Sequence, residues 1–212
     1  MKLVVDTYPL GDTKTNCYLV RASRGAGEAV VIDPGASPFD LRLELAQMGA
    51  RCAAILITHC HWDHIGAVAE LADGTGAPVY MAEAEAPVLR APDDFYTALG
   101  VSIRAYEPDV LLQGDEAIEV ADLELEVLRV PGHSPAHLAY HSHGVLFSGD
   151  VLFAGGVGRT DLPGGDWETL VESIRMLVDR FPPETVVYPG HGPATTLGAE
   201  LQRNPFLAEL RA

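Results

Sequence analysis

The run His59-Cys60-His61-Trp62-Asp63-His64 constrains this chain more than any other stretch. It places three imidazoles and a carboxylate within six residues, directly after the apolar run Ala53-Ala54-Ile55-Leu56-Ile57. An apolar run of that length reads as a buried strand. The cluster therefore sits where a strand gives way to a loop, the place where α/β sheets gather their chemistry. Alternate side chains of extended backbone point to the same side. His59 and His61 can thus reach one ion together, while Cys60 between them points away and reads as a packing residue. Asp63 and His64 follow as the chain turns into a helical pattern, Asp63 to Ala72, where they can face a second ion. A single buried His is usually a satisfied core residue. Four ligand-type residues in six positions fit neither core nor surface, and imidazole with carboxylate is a metal-binding donor set.

Three further candidates repeat one local pattern. Val130-Pro131-Gly132-His133, Ser148-Gly149-Asp150 and Tyr188-Pro189-Gly190-His191 each follow a β-type run, and each has a Gly before the ligand-type residue. Gly permits unusual dihedrals and lets a loop approach an ion closely. His59, His61 and His133 divide naturally onto one ion, and Asp63, His64 and His191 onto another, with Asp150 bridging. The donors suit zinc, and also iron or manganese. Two such ions make a nucleophile of shared water near neutral pH and polarise a carbonyl. No Ser or Cys nucleophile is then required, and the chain has no GxSxG elbow.

His137, four residues after His133, is placed to orient a ligand or its loop. Asp33, in Val31-Ile32-Asp33-Pro34-Gly35, either hydrogen-bonds a ligand His or simply forms a turn. Arg159 is either an anion contact at the mouth of the site or a surface residue paired with Asp161. Gly155-Gly156-Val157-Gly158-Arg159 lacks the Lys-Ser/Thr ending of a phosphate loop. His141 and His143 flank a turn and read as surface residues.

Strand-like runs recur at Lys2–Val5, Cys17–Arg21, Ala29–Ile32, Ala53–Ile57, Val79–Met81, Ile118–Val120, Leu123–Val130, Leu138–His141, Val145–Ser148 and Thr185–Tyr188. Helical patterns fall at Pro38–Met48, Asp63–Ala72, Asp166–Val178 and Leu197–Gln202. This is a mixed α/β layout with more than one sheet. Gly25-Ala26-Gly27 reads as a hairpin turn. Asp115-Glu116 after Gly114, and Ala121-Asp122 before Leu123, read as turns joining antiparallel strands. Residues 83 to 110 are the least regular stretch. They either wrap over the site or form a surface excursion, the commoner role of such a segment.

A net charge of −16, with only Lys2 and Lys14 as lysines, disfavours nucleic acid and anionic membrane as partners. Cys17, Cys52 and Cys60 show neither a metal-binding nor a secreted disulfide spacing, which points to a reducing compartment. The start, Met1 to Asp6, is too short an apolar stretch for a signal peptide, and no segment reaches the length of a membrane span. The expectation is a cytoplasmic protein acting on a small molecule, with its oligomeric state undetermined.

Together these residues resemble the metallo-β-lactamase superfamily. His59-x-His61-x-Asp63-His64, then His133, Asp150 and His191, match its motif order, with Asp33 as the first motif. The resemblance covers essentially the whole chain. It implies an αββα sandwich, two mixed sheets flanked by helices, and a single domain over residues 1–212. It also implies two divalent metal ions at one edge, with Asp63 and Asp150 as the catalytic carboxylates. Zinc β-lactamases typically lack the bridging Asp that Asp150 supplies here. Gly156-Val157-Gly158-Arg159-Thr160-Asp161, His191-Gly192-Pro193, Thr196-Leu197-Gly198 and Asn204-Pro205-Phe206-Leu207 resemble motifs of small bacterial glyoxalase II-like hydrolases. Classical glyoxalase II has a further C-terminal helical region for glutathione, for which this chain ends too early. The resemblance implies hydrolysis of a thioester such as S-lactoylglutathione, with Arg159 holding a carboxylate of the thiol carrier. The alternatives are a persulfide dioxygenase with one iron, and a lactonase or small-ester hydrolase. Pro131-Gly132-His133-Ser134-Pro135-Ala136-His137 departs from the Pro-Gly-His-Thr-Pro-Gly-Cys form that the dioxygenases resemble.

Overall fold

Period-two alternation of apolar side chains decides the layering. In the computed structural model, which describes residues 3–211, Cys17 and Leu19 face one side of their strand and Tyr18 and Val20 the other; all four are buried. A strand buried on both faces belongs inside a stack of layers. The first sheet contains β1 (Val4–Leu10), β2 (Thr15–Arg21), β3 (Glu28–Ile32), β4 (Arg51–Leu56), β5 (Val79–Ala82) and β6 (Val110–Leu112), in that spatial order. Its pairs are antiparallel from β1 to β3 and parallel from β3 to β6. The second contains β7 (Glu116–Val120), β8 (Leu123–Arg129), β9 (Leu138–Ser142) and β10 (Val145–Gly149). After a short hairpin of β11 (Leu152–Phe153) and β12 (Gly156–Val157), β13 (Val186–Pro189) and β14 (Thr195–Thr196) complete it. Its order is β14-β13-β10-β9-β8-β7, with β10 and β13 the parallel pair.

Three apolar layers result. Between the sheets lie Tyr18, Val20, Val30 and Ile32 from one side and Leu123, Leu125, Val127, Tyr140 and Phe147 from the other. The outer face of the first sheet (Leu19, Val31, Ile55) is covered by α1 (Pro38–Gln47), through Leu41 and Leu45. Beyond the single turn α2 (Trp62–Ile65), α3 (Val68–Thr75) adds Leu71 to the same layer. Two short helices follow, α4 (Ala86–Arg90) and α5 (Asp93–Tyr96). On the other side, α6 (Trp167–Arg180) and α7 (Leu197–Arg203) pack Leu170, Ile174, Leu177 and Leu197 onto Leu128, Ala139, Leu146 and Val187. The expected αββα sandwich of two mixed sheets is the fold.

Three local expectations need correction. The pattern 63–72 is not one helix: it breaks at Gly66-Ala67. There the turn after β3 presses in, with Pro34 O accepting from Ala67 N–H at 2.9 Å. A Cβ on Gly66 would lie 2.3 Å from Gly35 O. Gly114-Asp115 does not join antiparallel neighbours but carries the chain from β6 in one sheet to β7 in the other. The strand expected from Lys2 begins at Val4 and continues through Pro9, which an edge strand tolerates; Lys2 itself lies outside the described residues. Ala121 and Asp122, both at positive φ, do form the β7–β8 hairpin turn. The segment 83 to 110 contributes α4, α5 and the edge strand β6.

Four parallel-paired strands, β3, β4, β10 and β13, end at Ile32, Leu56, Gly149 and Pro189. Asp33, the 59–64 run, Asp150 and His191 come next in each case. The β8–β9 connection carries His133 and His137.

Candidate metal centre

All seven ligand-type residues named from the sequence converge at these strand ends. His59 Nε2 lies 3.0 Å from His61 Nδ1 and 3.2 Å from His133 Nε2, and His133 Nε2 lies 2.8 Å from His61 Nδ1. The surrounding hydrogen bonds fix what these nitrogens are. Thr58 Oγ1 donates to Asp33 Oδ2 at 2.6 Å, so it accepts from His59 Nδ1–H at 3.0 Å. His133 Nδ1–H donates to the Arg159 carbonyl at 2.8 Å. Each neutral ring therefore carries its hydrogen on Nδ1 and turns a lone pair inward from Nε2. Two facing acceptors do not make a hydrogen bond; a cation between them does satisfy both.

The second group has the same character. His64 Nδ1–H donates to Asp33 Oδ2 at 2.9 Å, which leaves Nε2 to face Asp150 Oδ1 at 3.4 Å. His64 Nε2 and Asp150 Oδ1 are both buried without a hydrogen-bond partner, a costly arrangement unless something positive joins them. His191 Nε2 lies 3.3 Å from Asp63 Oδ2 and 3.5 Å from Asp150 Oδ2, which is also 3.5 Å from His133 Nε2. Asp150 thus touches members of both groups. His59, His61 and His133 form one set able to hold an ion, and Asp63, His64 and His191 another; a third overlapping set joins His59, His64 and Asp150. The donors fit a metal centre.

Metal-free, the same groups shift strongly. Burial and the neighbouring imidazoles of His133 and His64 push His61 down to about 4. Burial likewise drives His59 far below its ordinary range, with His64 and His137 adding to it. The Asp150 and Asp63 carboxylates raise His191 to about 9. Burial opposes charge on His64, yet Asp150 and Asp33 hold it well above the usual range. Burial also opposes charge on Asp63, but His191, His64 and Thr15 hold it at about 2.

Gly149 and Gly190, which precede Asp150 and His191, have no room for a side chain. Gly149 has φ +50°, and a Cβ there would lie 2.6 Å from both His137 Cε1 and Thr58 Oγ1. A Cβ on Gly190 would lie 2.0 Å from Asp150 Oδ1. The other sequence candidates fall as follows. Asp33, itself at φ +52°, bonds Thr58 and His64 in addition to making the turn. His137 is buried, stacks on His59 at 4.6 Å and accepts from Asp150 N–H at 3.1 Å. The Arg159 guanidinium is exposed and paired in bidentate fashion with Asp161 at 2.7 and 2.8 Å. Only its carbonyl reaches the centre. Cys60 is buried in the outer core, away from the imidazoles, and all three cysteines are free. His141 is half-buried beside Phe181 and Glu126, away from the centre.

Sequence reasoning missed a supporting set. Thr15 donates to Asp63 Oδ2 at 2.7 Å. Asn16 Nδ2 donates to the carbonyls of Pro189 and Gly192, and Tyr18 donates to Pro189, fixing the His191 loop. Glu85 and Tyr96 bond the Cys60 peptide. A Thr, Asn or Tyr on a buried strand, or a Glu in an Ala/Glu run, gives no local signal of such a role.

The family model of the metallo-beta-lactamase superfamily matches residues 10–191, and the chain belongs to that superfamily. It is 36% identical to a probable metallo-hydrolase, YqgX, of Bacillus subtilis, covering 94% of this chain and 95% of that one. It is 33% identical to the hydroxyacylglutathione hydrolase GloC of Haemophilus influenzae, covering 96% and 97%. Among solved structures it resembles the BLEG-1 B3 metallo-beta-lactamase (TM-score 0.90, 38% identity, 97% of this chain and 100% of that one). It also resembles TTHA1623 in a di-iron-bound form (TM-score 0.84, 41% identity, 96% and 100%). Among the described residues, no helix is long and apolar enough to cross a membrane.

Proposed function

We propose that the protein is a dinuclear metal-dependent thioester hydrolase, of the hydroxyacylglutathione hydrolase kind. The observation that carries this reading is the pair of imidazole and carboxylate clusters, His59/His61/His133 and Asp63/His64/His191, joined by Asp150. His59, His61 and His133 would hold one ion; Asp63, His64 and His191 the other; Asp150 would serve both. When bound, two such ions generate a nucleophile from water near neutral pH and polarise a carbonyl.

The protein's own part is to hold those ligands still. Asp33 fixes the His64 ring and, through Thr58, the His59 ring; the Arg159 carbonyl fixes His133; Thr15 fixes Asp63. His137 seats the Asp150 peptide. A thiolate, of thiol pKa about 8.5, leaves without a donated proton, so the reading needs no further acid among these residues. An amide nitrogen does need one, which separates a thioester from a β-lactam as substrate. Zinc suits the donors, and iron or manganese suits them too; the iron in the TTHA1623 relative keeps that choice open. Arg159 enters as an anion contact at the mouth, exchanging Asp161 for a substrate carboxylate.

The test is a substrate panel on one metal-loaded preparation: S-lactoylglutathione, an oxygen ester of matched acyl group, a lactone and a β-lactam. Preferential turnover of the thioester supports the reading. Preferential turnover of the β-lactam or lactone contradicts it.

A further inference from the structure

Glu85 is a buried carboxylate outside the ligand set, and each of its oxygens grips a different loop of the centre. It lies at the end of the 3-10 turn that follows β5 and is 5% exposed. Oε2 accepts from the Cys60 N–H at 2.7 Å. Oε1 accepts from the Ser134 hydroxyl and from the Ala136 N–H at 3.1 Å. Tyr96, also buried, donates its hydroxyl to the Cys60 carbonyl. The peptide between His59 and His61 is thus held from both sides, by two residues of one segment.

A carboxylate is a rigid planar group with two oxygens at fixed separation. Bonded this way, it sets the distance between residue 60 and residues 134–136. His59 and His61 flank the first anchor; His133 precedes the second. Ion–nitrogen bonds of about 2.0–2.1 Å require the three ring nitrogens to sit about 3.3 Å apart, and here they sit 2.8–3.2 Å apart. Burying a carboxylate is costly and persists only where donors compensate. Glu85 has three: the Cys60 N–H between His59 and His61, the hydroxyl of Ser134 next to His133, and the Ala136 N–H. An apolar residue would fill the same volume without that cost, but would not tie the two loops together.

We propose that Glu85 and Tyr96 are positioning residues that set the spacing of the His59/His61/His133 nitrogens and so tune affinity for the ion they hold. This rests on reading that trio as the ligands of one ion. It also gives the segment 83 to 110 a role: it braces the ligand loops from behind.

The test is chelator competition on the zinc-loaded chain, which yields a dissociation constant for each ion, with His61→Ala and His191→Ala as references that assign them. Glu85→Gln keeps the volume but turns an amide N–H₂ toward a backbone N–H. It is expected to weaken the His61-dependent ion by about 10–100-fold, the usual effect of losing a group that orients ligands. The His191-dependent ion, coupled to the first through Asp150, should weaken several-fold less. Tyr96→Phe, which removes one hydrogen bond and keeps the ring, should weaken the same ion by about fivefold. With cobalt in place of zinc, the visible spectrum of Glu85→Gln should shift only in the band that His61→Ala removes. Unchanged constants in both variants, or equal weakening of both ions, would overturn the proposal. If Glu85→Gln does not fold, Tyr96→Phe decides alone by the same criterion. The two-ion hydrolase is judged separately, from the wild-type ion count and thioester turnover, because this comparison uses ion affinity and not activity.

Discussion

Asp150 meets both halves of the centre: His64 at 3.4 Å through Oδ1, and His133 and His191 at 3.5 Å through Oδ2. Asp150→Ala is expected to lower metal content at both positions. It should cut thioester kcat/KM by more than the ~10–100-fold typical of losing an orienting residue; elemental analysis with kinetics checks this. Cys60 lies between His59 and His61 yet faces the outer core, and burial pushes its thiol far above the ordinary range. Cys60→Ala should keep full activity and cost about 1 kcal/mol of stability in denaturant melts; lost activity would mean that the thiol takes part. Arg159→Ala should raise KM for anionic thioesters more than for neutral esters, and equal changes would remove its proposed contact. The clustering of these seven side chains was legible because imidazoles and carboxylates gathered after apolar runs have few other uses. Asp33 left its two readings open, since one sequence satisfies both, and in the structure it makes the turn and bonds His64 together. Glu85 and Tyr96 were not legible: their partners, the Cys60 peptide and residues 134–136, are distant in sequence, and a solvated Glu would read the same.

At the scale of elements, α6 shows how the site's far side is supported. Asp166 caps it by accepting from Thr169 N–H at 2.8 Å, and Leu170, Ile174 and Leu177 recur at helical spacing on its buried face. Leu177→Ala should cost about 2–5 kcal/mol by the cavity it leaves, read as a lower denaturation midpoint in the metal-loaded chain. A loss of metal affinity without a loss of stability would contradict that assignment. Long periodic elements such as α1, α6 and β8 were legible because burial repeats along them. The two- and three-residue strands β6, β11, β12 and β14 were not, being too short to show a period. The break between α2 and α3 was hidden as well, because its cause is the distant turn Pro34-Gly35 and not a local helix breaker.

At the scale of the whole molecule, the centre couples folding, protons and metal. In the metal-free chain His61 is held at about 4, so between pH 6.5 and 4 the unfolded chain takes up a proton that the folded one refuses, and stability falls with pH. His191 is held at about 9, so its contribution is complete below about 6.5 and is lost as pH rises through 9. The chelated protein should therefore be most stable near pH 6.5 and weaken on both sides, as urea midpoints across pH 4–9 would reveal. Metal loading should remove the alkaline decline, because ligands must shed protons to bind an ion. A chelated protein whose stability rises steadily to pH 9 would contradict this. The central claim, a two-ion thioester hydrolase, is tested most directly by titrating zinc into the chelated chain while following S-lactoylglutathione turnover. The account predicts that turnover appears as the second ion per chain binds. Full turnover at one ion per chain, or two bound ions with no thioester turnover, would contradict it.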